Sequence, residues 1–239
     1  MKSIIIITGP TACGKTPTAV ALAKKIDGEV VSADSMQVYR GMDIGTAKPT
    51  IEECEGIPHH LIDVVSPHEH FSAALFQKLA WEAIDGIHSR GQVPILVGGT
   101  GFYIDVALYE DALLPNRARI PRYKAKAFIL YRDRAELYET INRRVDIMIS
   151  RGLVEEAEKI LASGIPENAT ALQALGYKEL LPYIRGECKL EEAVNAVKLG
   201  SRRYAKRQLT WFRHQIKGEW LSMDELTPLE AAERIVYLR

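Results

Sequence analysis

The sequence predicts an α/β fold in which a parallel sheet is covered by helices. Three observations carry that prediction. Residues 4–8 are an unbroken β-branched run, the pattern of a strand buried on both faces. A glycine-bearing turn at 9–14 breaks the run, and a helical pattern follows over 15–25. The same order recurs at 93–97, a second buried run that leads into Gly98, Gly99, Thr100 and Gly101. Strand, turn and helix repeating in this way need crossover connections, and crossovers build parallel sheets.

The remaining elements follow from periodicity. In 15–25, Ala19, Leu22, Ala23 and the adjoining Ile26 share one helical face. Residues 29–32 form a short strand that ends at Ala33 and Asp34. Residues 40–70 are rich in Gly, Pro and His and are expected to be loops with short elements. Residues 71–89 are helical and stop at Gly91. Residues 109–124 have no clear pattern. A fourth strand is expected at 127–130, and helices at 134–151, 153–163, 168–183, 190–218 and 229–238. The second half of the chain therefore reads as helical, and no internal repeat is present.

Composition narrows the function classes. The chain has 239 residues, 47% of them hydrophobic and 26% charged, which suits a soluble globular protein with one good core. No apolar run approaches the ~20 residues of a membrane helix. The apolar stretch at 4–7 is too short for a secretory signal. Cys13, Cys54 and Cys188 are far apart and form no CxxC pair. That argues against a disulfide framework or a zinc site and predicts a reducing, cytoplasmic setting. A monomer without membrane contact is expected. Net charge is zero, so an anionic partner must meet a local basic patch.

Such a site begins at the first turn. Gly9-Pro10-Thr11-Ala12-Cys13-Gly14-Lys15-Thr16 fits G-x-x-x-x-G-K-[ST], after a buried strand and before a helix. Glycines let successive backbone N–H groups converge on one anion, and the helix N-terminus adds partial positive charge. Lys15 supplies a full charge, and the Thr16 hydroxyl can ligate Mg²⁺. The fold thus reads as P-loop NTPase-like. Cys13 reads as a small space-filler. The loop reads phosphates only; ATP would be the usual ligand, and the loop does not decide it.

Ligands of such sheets sit at the carboxyl ends of the strands. Asp34 and Thr100 lie just past two of them and are expected in the same crevice. Asp34 could hold Mg²⁺ through water or act as a general base, or be no more than a helix cap. Thr100 could donate to a developing oxyanion, or cap the next helix. Residues 198–218 carry Lys198, Arg202, Arg203, Lys206, Arg207, Arg213 and Lys217 with no acid. Arg203, Lys206 and Arg207 share a face, with Arg202 beside them and Tyr204, Trp211 and Phe212 interleaved. An anion site is expected there, for a small phosphate ligand or a nucleic-acid backbone. His59, His60, His68 and His70 lack acids or cysteines at ligand spacing and read as hydrogen-bonding residues.

Several stretches, in order along the chain, resemble the tRNA dimethylallyltransferase (tRNA isopentenyltransferase) family. They are GPTACGKT at 9–16, SADSMQVYRGMDIGTAKP at 32–49, PHHLIDV at 58–64, VGGTGFY at 97–103, ALGYKEL at 174–180 and SRRYAKRQLTWFR at 201–213. The resemblance implies transfer of a dimethylallyl group from its diphosphate to the exocyclic amine of the adenine 3′ of the tRNA anticodon. The loop would then hold dimethylallyl diphosphate rather than ATP. Asp34 becomes the general base, and Ser35, Met36 and Gln37 become contacts to a flipped-out nucleotide. Thr100 stabilises the leaving oxygen. Lys15, Thr16 with Mg²⁺, Arg202 and Arg207 neutralise the diphosphate. Arg122, Tyr177 and Lys178 are expected to meet tRNA. The resemblance also implies a helical insertion that grips the anticodon stem. Residues 104–126 stand in its place as a truncated root.

Overall fold

The structure, a computed structural model, describes residues 2–116, 118–166 and 168–239. Six strands form one sheet: β1 (Ser3–Thr8), β2 (Gly28–Ser32), β3 (His59–His60), β4 (Val93–Gly98), β5 (Lys124–Tyr131) and β6 (Glu219–Ser222). Their order is β3-β2-β4-β1-β5-β6 and every pairing is parallel. The expected parallel sheet is therefore present, and β1 lies between β4 and β5.

Period-two alternation sends β1 into two cores. Ile5 and Ile7 face α1 (Lys15–Ile26) and α9 (Pro228–Leu238), where they join Leu22, Ala23, Ala231 and Ile235. Ile4 and Ile6 face the opposite layer, with Phe76, Ala80, Ile84 and Ile87 of α3 (Ala73–Ser89). Helix α4 (Gly101–Leu108) packs on α3 and is apolar almost all round, since every residue from Tyr103 to Leu108 is buried. Helices α5 (Arg134–Ser150), α6 (Leu153–Ala162), α7 (Tyr177–Ile184) and α8 (Leu190–Gln215) make up the helical second half. Among the described residues no helix is long and apolar enough to cross a membrane.

Two expectations change, and a third is filled in. Strand β6 was not foreseen, because only Leu221 of its residues is buried, so neither alternation nor a β-branched run marks it. The helix expected over 168–183 is a 3-10 turn, Ala171–Gln173, followed by α7. Gly176 at φ 101° separates them, a conformation that no continuous helix contains. Residues 40–70 hold a one-turn helix, α2 (Ile51–Cys54), and β3, whose histidines extend the sheet by pairing with Val30 and Val31.

The long segment after β2 is anchored by one acid. Glu156 of α6 accepts from three successive amides, Asp43 at 2.8 Å, Ile44 at 2.9 Å and Gly45 at 2.9 Å. It also accepts from the Tyr177 hydroxyl at 2.6 Å. Gly45 is required here, since a Cβ would lie 2.4 Å from the Tyr177 ring. Glu156→Gln replaces one acceptor oxygen by a donor facing those donors. It should destabilise the protein by about 1–3 kcal/mol, read as a lower urea midpoint with an unchanged slope. An unchanged midpoint would mean that other contacts hold this segment.

Candidate functional site

The phosphate loop links β1 to α1. Its path needs positive φ at Gly9 (147°), Ala12 (66°) and Gly14 (80°). Gly9 also lies against Leu130, whose carbonyl oxygen would be 2.3 Å from an added Cβ. Gly14 is the N-cap of α1 and has no side chain to cap it, so the first amides of the helix are free to meet an anion. Lys15 Nζ donates to the Pro10 carbonyl at 2.8 Å and is held folded over the loop. Cys13 is fully buried beneath, and burial pushes its thiol up to about 11, so it fills space as expected.

Strand order brings the second and third parts of the site alongside. Strand β4 lies between β1 and β2, so the turns after all three strands adjoin. Gly98 sits so close to Ala33 that a Cβ would be 2.2 Å from the Ala33 oxygen. Asp34 Oδ1 accepts from the amides of Met36 at 2.9 Å and Gln37 at 3.3 Å, closing a turn that fixes the carboxylate. Lys15, Thr16, Ser32, Asp34 and Gln37 line one cavity, with Val30, Val97 and Ile62 on its apolar side. Thr100 Oγ1 accepts from the Ser35 amide at 3.2 Å and lies 3.4 Å from the Ser35 hydroxyl. As the α4 N-cap it makes no side-chain capping bond, so its hydroxyl is turned to the site instead.

Helix α8 closes the site from above. Gln208 is buried and bridges the two glycine-bearing turns. Its Oε1 accepts from Thr11 N at 3.0 Å, and its Nε2 donates to Gly99 O at 2.9 Å. Trp211 lies flat on Gly101, where a Cβ would be 2.3 Å from its ring. Tyr204 lies near Thr100 and Gln208, and burial, then the charge of Asp34, pushes its phenol up to about 12. Sequence reasoning missed Gln208 and Tyr204. Their signal was the spacing 204, 208, 211 along one helical face, which the interleaved charges obscured. It also missed Arg144 of α5, whose Nη1 donates to the Thr11 hydroxyl at 3.2 Å.

The other expected residues divide. Arg203, Lys206 and Arg207 line one outer groove of α8 with Thr210, Trp211, His214 and Gln215, so the basic face is real. Arg207 lies in that groove, 5.6 Å over the Tyr204 ring, rather than in the phosphate cavity. Arg202 turns the other way and donates to Asn142 of α5 at 2.5 Å. Met36 packs on the core, and the Gln37 amide donates to the carbonyls of Thr46 and Ala47. Lys178 is exposed beside Glu179.

Two expected tRNA contacts need correction. Tyr177 is fully buried, because its ring fills the space over Gly45 and its hydroxyl serves Glu156. Arg122 precedes β5 at the end of the sheet opposite the phosphate loop. It pairs with Asp85 at 3.0 Å and Glu110 at 3.6 Å and lies on the Trp81 ring.

Among the described residues no three His, Cys, Asp or Glu side chains gather as a metal site. The oxygens of Thr16 and Asp34 share one cavity, a hard donor pair of the kind that suits Mg²⁺ when substrate phosphates and water complete the shell.

Known proteins share this arrangement. The family model described as IPP transferase matches residues 37–119 and 109–215. A relative named tRNA dimethylallyltransferase, from an Exiguobacterium species, is 43% identical over 92% of this chain and 90% of its own length. That alignment runs to 281 positions, more than the 239 residues present, so the relative holds residues that this chain lacks. The crystal structure of tRNA delta(2)-isopentenylpyrophosphate transferase from Staphylococcus epidermidis superposes with a TM-score of 0.91 at 36% identity, covering 100% of this chain and 98% of that one. Full-length tRNA isopentenylpyrophosphate transferase from Bacillus halodurans gives 0.89 at 40% identity, over 100% and 96% of the two chains. With a phosphate loop, an acid after β2 and a threonine after β4 converging under one helix, and with matches along nearly its whole length, this chain belongs to the IPP transferase family.

Proposed function

We propose that this enzyme transfers a dimethylallyl group from dimethylallyl diphosphate to the exocyclic N6 amine of the adenine 3′ of the tRNA anticodon. One observation carries the reading. The phosphate loop, Asp34 and Thr100 occupy adjoining turns at the carboxyl ends of β1, β2 and β4. An electrophile anchored by its diphosphate and an acceptor amine beside a carboxylate can then meet.

The amine nitrogen bonds to the allylic carbon as the carbon–oxygen bond breaks. Diphosphate leaves with the bonding electron pair, and Asp34 takes the amine proton. Loop amides and Lys15 stabilise the charge that collects on the leaving group. The Thr100 hydroxyl, ordered by Ser35, donates to the leaving oxygen. Thr16 would hold Mg²⁺, which supplies further neutralisation of the diphosphate when bound. The basic groove of α8, with Ser35 and Lys178, suits the acceptor's phosphates. Residues 104–126 would be the root of a helical insertion that grips the anticodon stem. A monomer in the cytoplasm completes the reading.

Protein incubated with labelled dimethylallyl diphosphate, Mg²⁺ and tRNA bearing a suitable anticodon loop should pass label to the tRNA. Chelation of Mg²⁺ should stop it. If label never reaches tRNA the reading fails. If it reaches free AMP and not tRNA, the acceptor is a nucleotide that needs no anticodon grip.

A further inference from the structure

The phosphate loop and Thr100 act on one leaving group from different turns, the first after β1 and the second after β4. A reacting group misplaced by about 1 Å can lose on the order of 10²-fold in rate, so the two turns must be held in register. Strand pairing does this only as far as Thr8 and Gly98, the last paired residues of β1 and β4. Beyond that pair, Gln208 of α8 bonds to both turns. Its Oε1 accepts from Thr11 N at 3.0 Å, and its Nε2 donates to Gly99 O at 2.9 Å.

The Gly99 carbonyl belongs to the same peptide group as the Thr100 N–H, and that N–H donates to Ala33 O at 3.3 Å. The peptide that carries Thr100 is therefore pinned from both sides, and a planar group pinned twice fixes where the threonine side chain leaves the backbone. Gln208 is itself held. It lies between Ala205 and Phe212 on the buried face of α8 and is 6% exposed. A buried amide has one orientation here, the one that gives Thr11 an acceptor and Gly99 a donor. Gly99 lies outside the left-handed region, so its backbone does not call for glycine. A Cβ there would lie 2.3 Å from Gln208 Nε2, and the missing side chain makes room for the amide. The G-x-x-x-x-G-K-[ST] motif accounts for none of this, since Gln208 enters from a helix far along the chain.

We propose that Gln208 is a positioning residue for the transfer: it fixes the Thr100 hydroxyl at a set distance from the diphosphate in the loop. The inference rests on the reading of the loop as a diphosphate site and of Thr100 as donor to the leaving oxygen. Gln208 acts through Thr100 and touches neither substrate.

Single-turnover transfer from dimethylallyl diphosphate to tRNA, with Mg²⁺ and both substrates saturating, tests this beside calorimetric titration with inorganic pyrophosphate. Gln208→Met keeps the length of the side chain and removes both hydrogen bonds. Its transfer should be about 10–100-fold slower. Its pyrophosphate affinity should stay within about threefold of the unaltered protein, because Lys15 and the first amides of α1 are untouched. Thr100→Ala alone should slow transfer by about 10²–10³-fold. In the Thr100→Ala background, Gln208→Met should add less than about threefold, since the group it positions is already gone. Gly99→Ala crowds the same amide from the other turn and should repeat the pattern. Losses that multiply in the double variant would overturn the proposal and leave Gln208 as a support of the fold. So would transfer by Gln208→Met within about threefold of the unaltered rate, or a loss of pyrophosphate binding as deep as the loss of transfer. Full activity in Thr100→Ala would remove Thr100 from the mechanism and this role of Gln208 with it. Absence of transfer by the unaltered protein would overturn the functional reading itself.

Discussion

Asp34→Asn should lower kcat by about 10²–10⁴-fold, the range a positioned general base contributes. The substitution is chosen from the local geometry. Asp34 Oδ1 accepts from Met36 N and Gln37 N, and these bonds close the turn after β2. The carbonyl oxygen of asparagine can accept both, so the turn should survive. What disappears is the second oxygen's capacity to take a proton, together with the negative charge. Asp34→Ala would remove the turn as well and confuse the two effects. The charge also acts on its neighbours, since it favours the charged forms of Lys15 and Arg144. Pyrophosphate affinity should therefore change only modestly, while single-turnover transfer from dimethylallyl diphosphate collapses. Transfer within tenfold of the unaltered rate, in a variant that still binds pyrophosphate, would remove Asp34 from the proton transfer. An equal loss of binding and turnover would make it a phosphate-site residue instead.

Most of the fold was legible because its parts announce themselves locally. β1 and β4 are buried on both faces over most of their length, so their sequences are near-continuous apolar runs that end in small or glycine residues. The site's backbone was legible for the same reason, since a loop that cradles an anion needs glycine at fixed spacing. What escaped lies where tertiary packing, not local pattern, decides. β6 is an edge strand with Glu219 and Trp220 exposed. Tyr177 stands in a polar-looking GYKE stretch, yet Gly45 opens a space for its ring and Glu156 supplies its partner. Arg122, in a basic stretch, is spent on Asp85 at the far end of the sheet. Gln208 and Arg144 reach the loop from α8 and α5, and nothing in a linear sequence marks which helical cation or amide will be carried back to residue 11.

Lys15→Met should lower kcat/KM for the prenyl diphosphate by about 10²–10³-fold at neutral pH, the loss expected when one preorganised partner of the developing charge is removed. The accompanying pH dependence is more specific. Burial lowers the Lys15 ammonium from 10.5 to about 8, and the nearby Arg144 charge acts in the same direction. Because the folded value lies below the unfolded one, the charged lysine destabilises the free protein fully below about pH 8. Between about 8 and 10.5 the folded state gives up the proton while the unfolded chain keeps it, so stability rises with pH across that window. Binding runs the other way. A diphosphate favours the ammonium, so the free enzyme must hold or regain that proton to bind it. kcat/KM should therefore fall above about pH 8, approaching tenfold per pH unit. Lys15→Arg should flatten this limb, because a guanidinium stays charged throughout. A descending limb that persists in Lys15→Arg would assign the titration to another group. A flat profile in the unaltered enzyme would mean that the loop binds the diphosphate with its amides alone, and that the lysine folded onto Pro10 never leaves it.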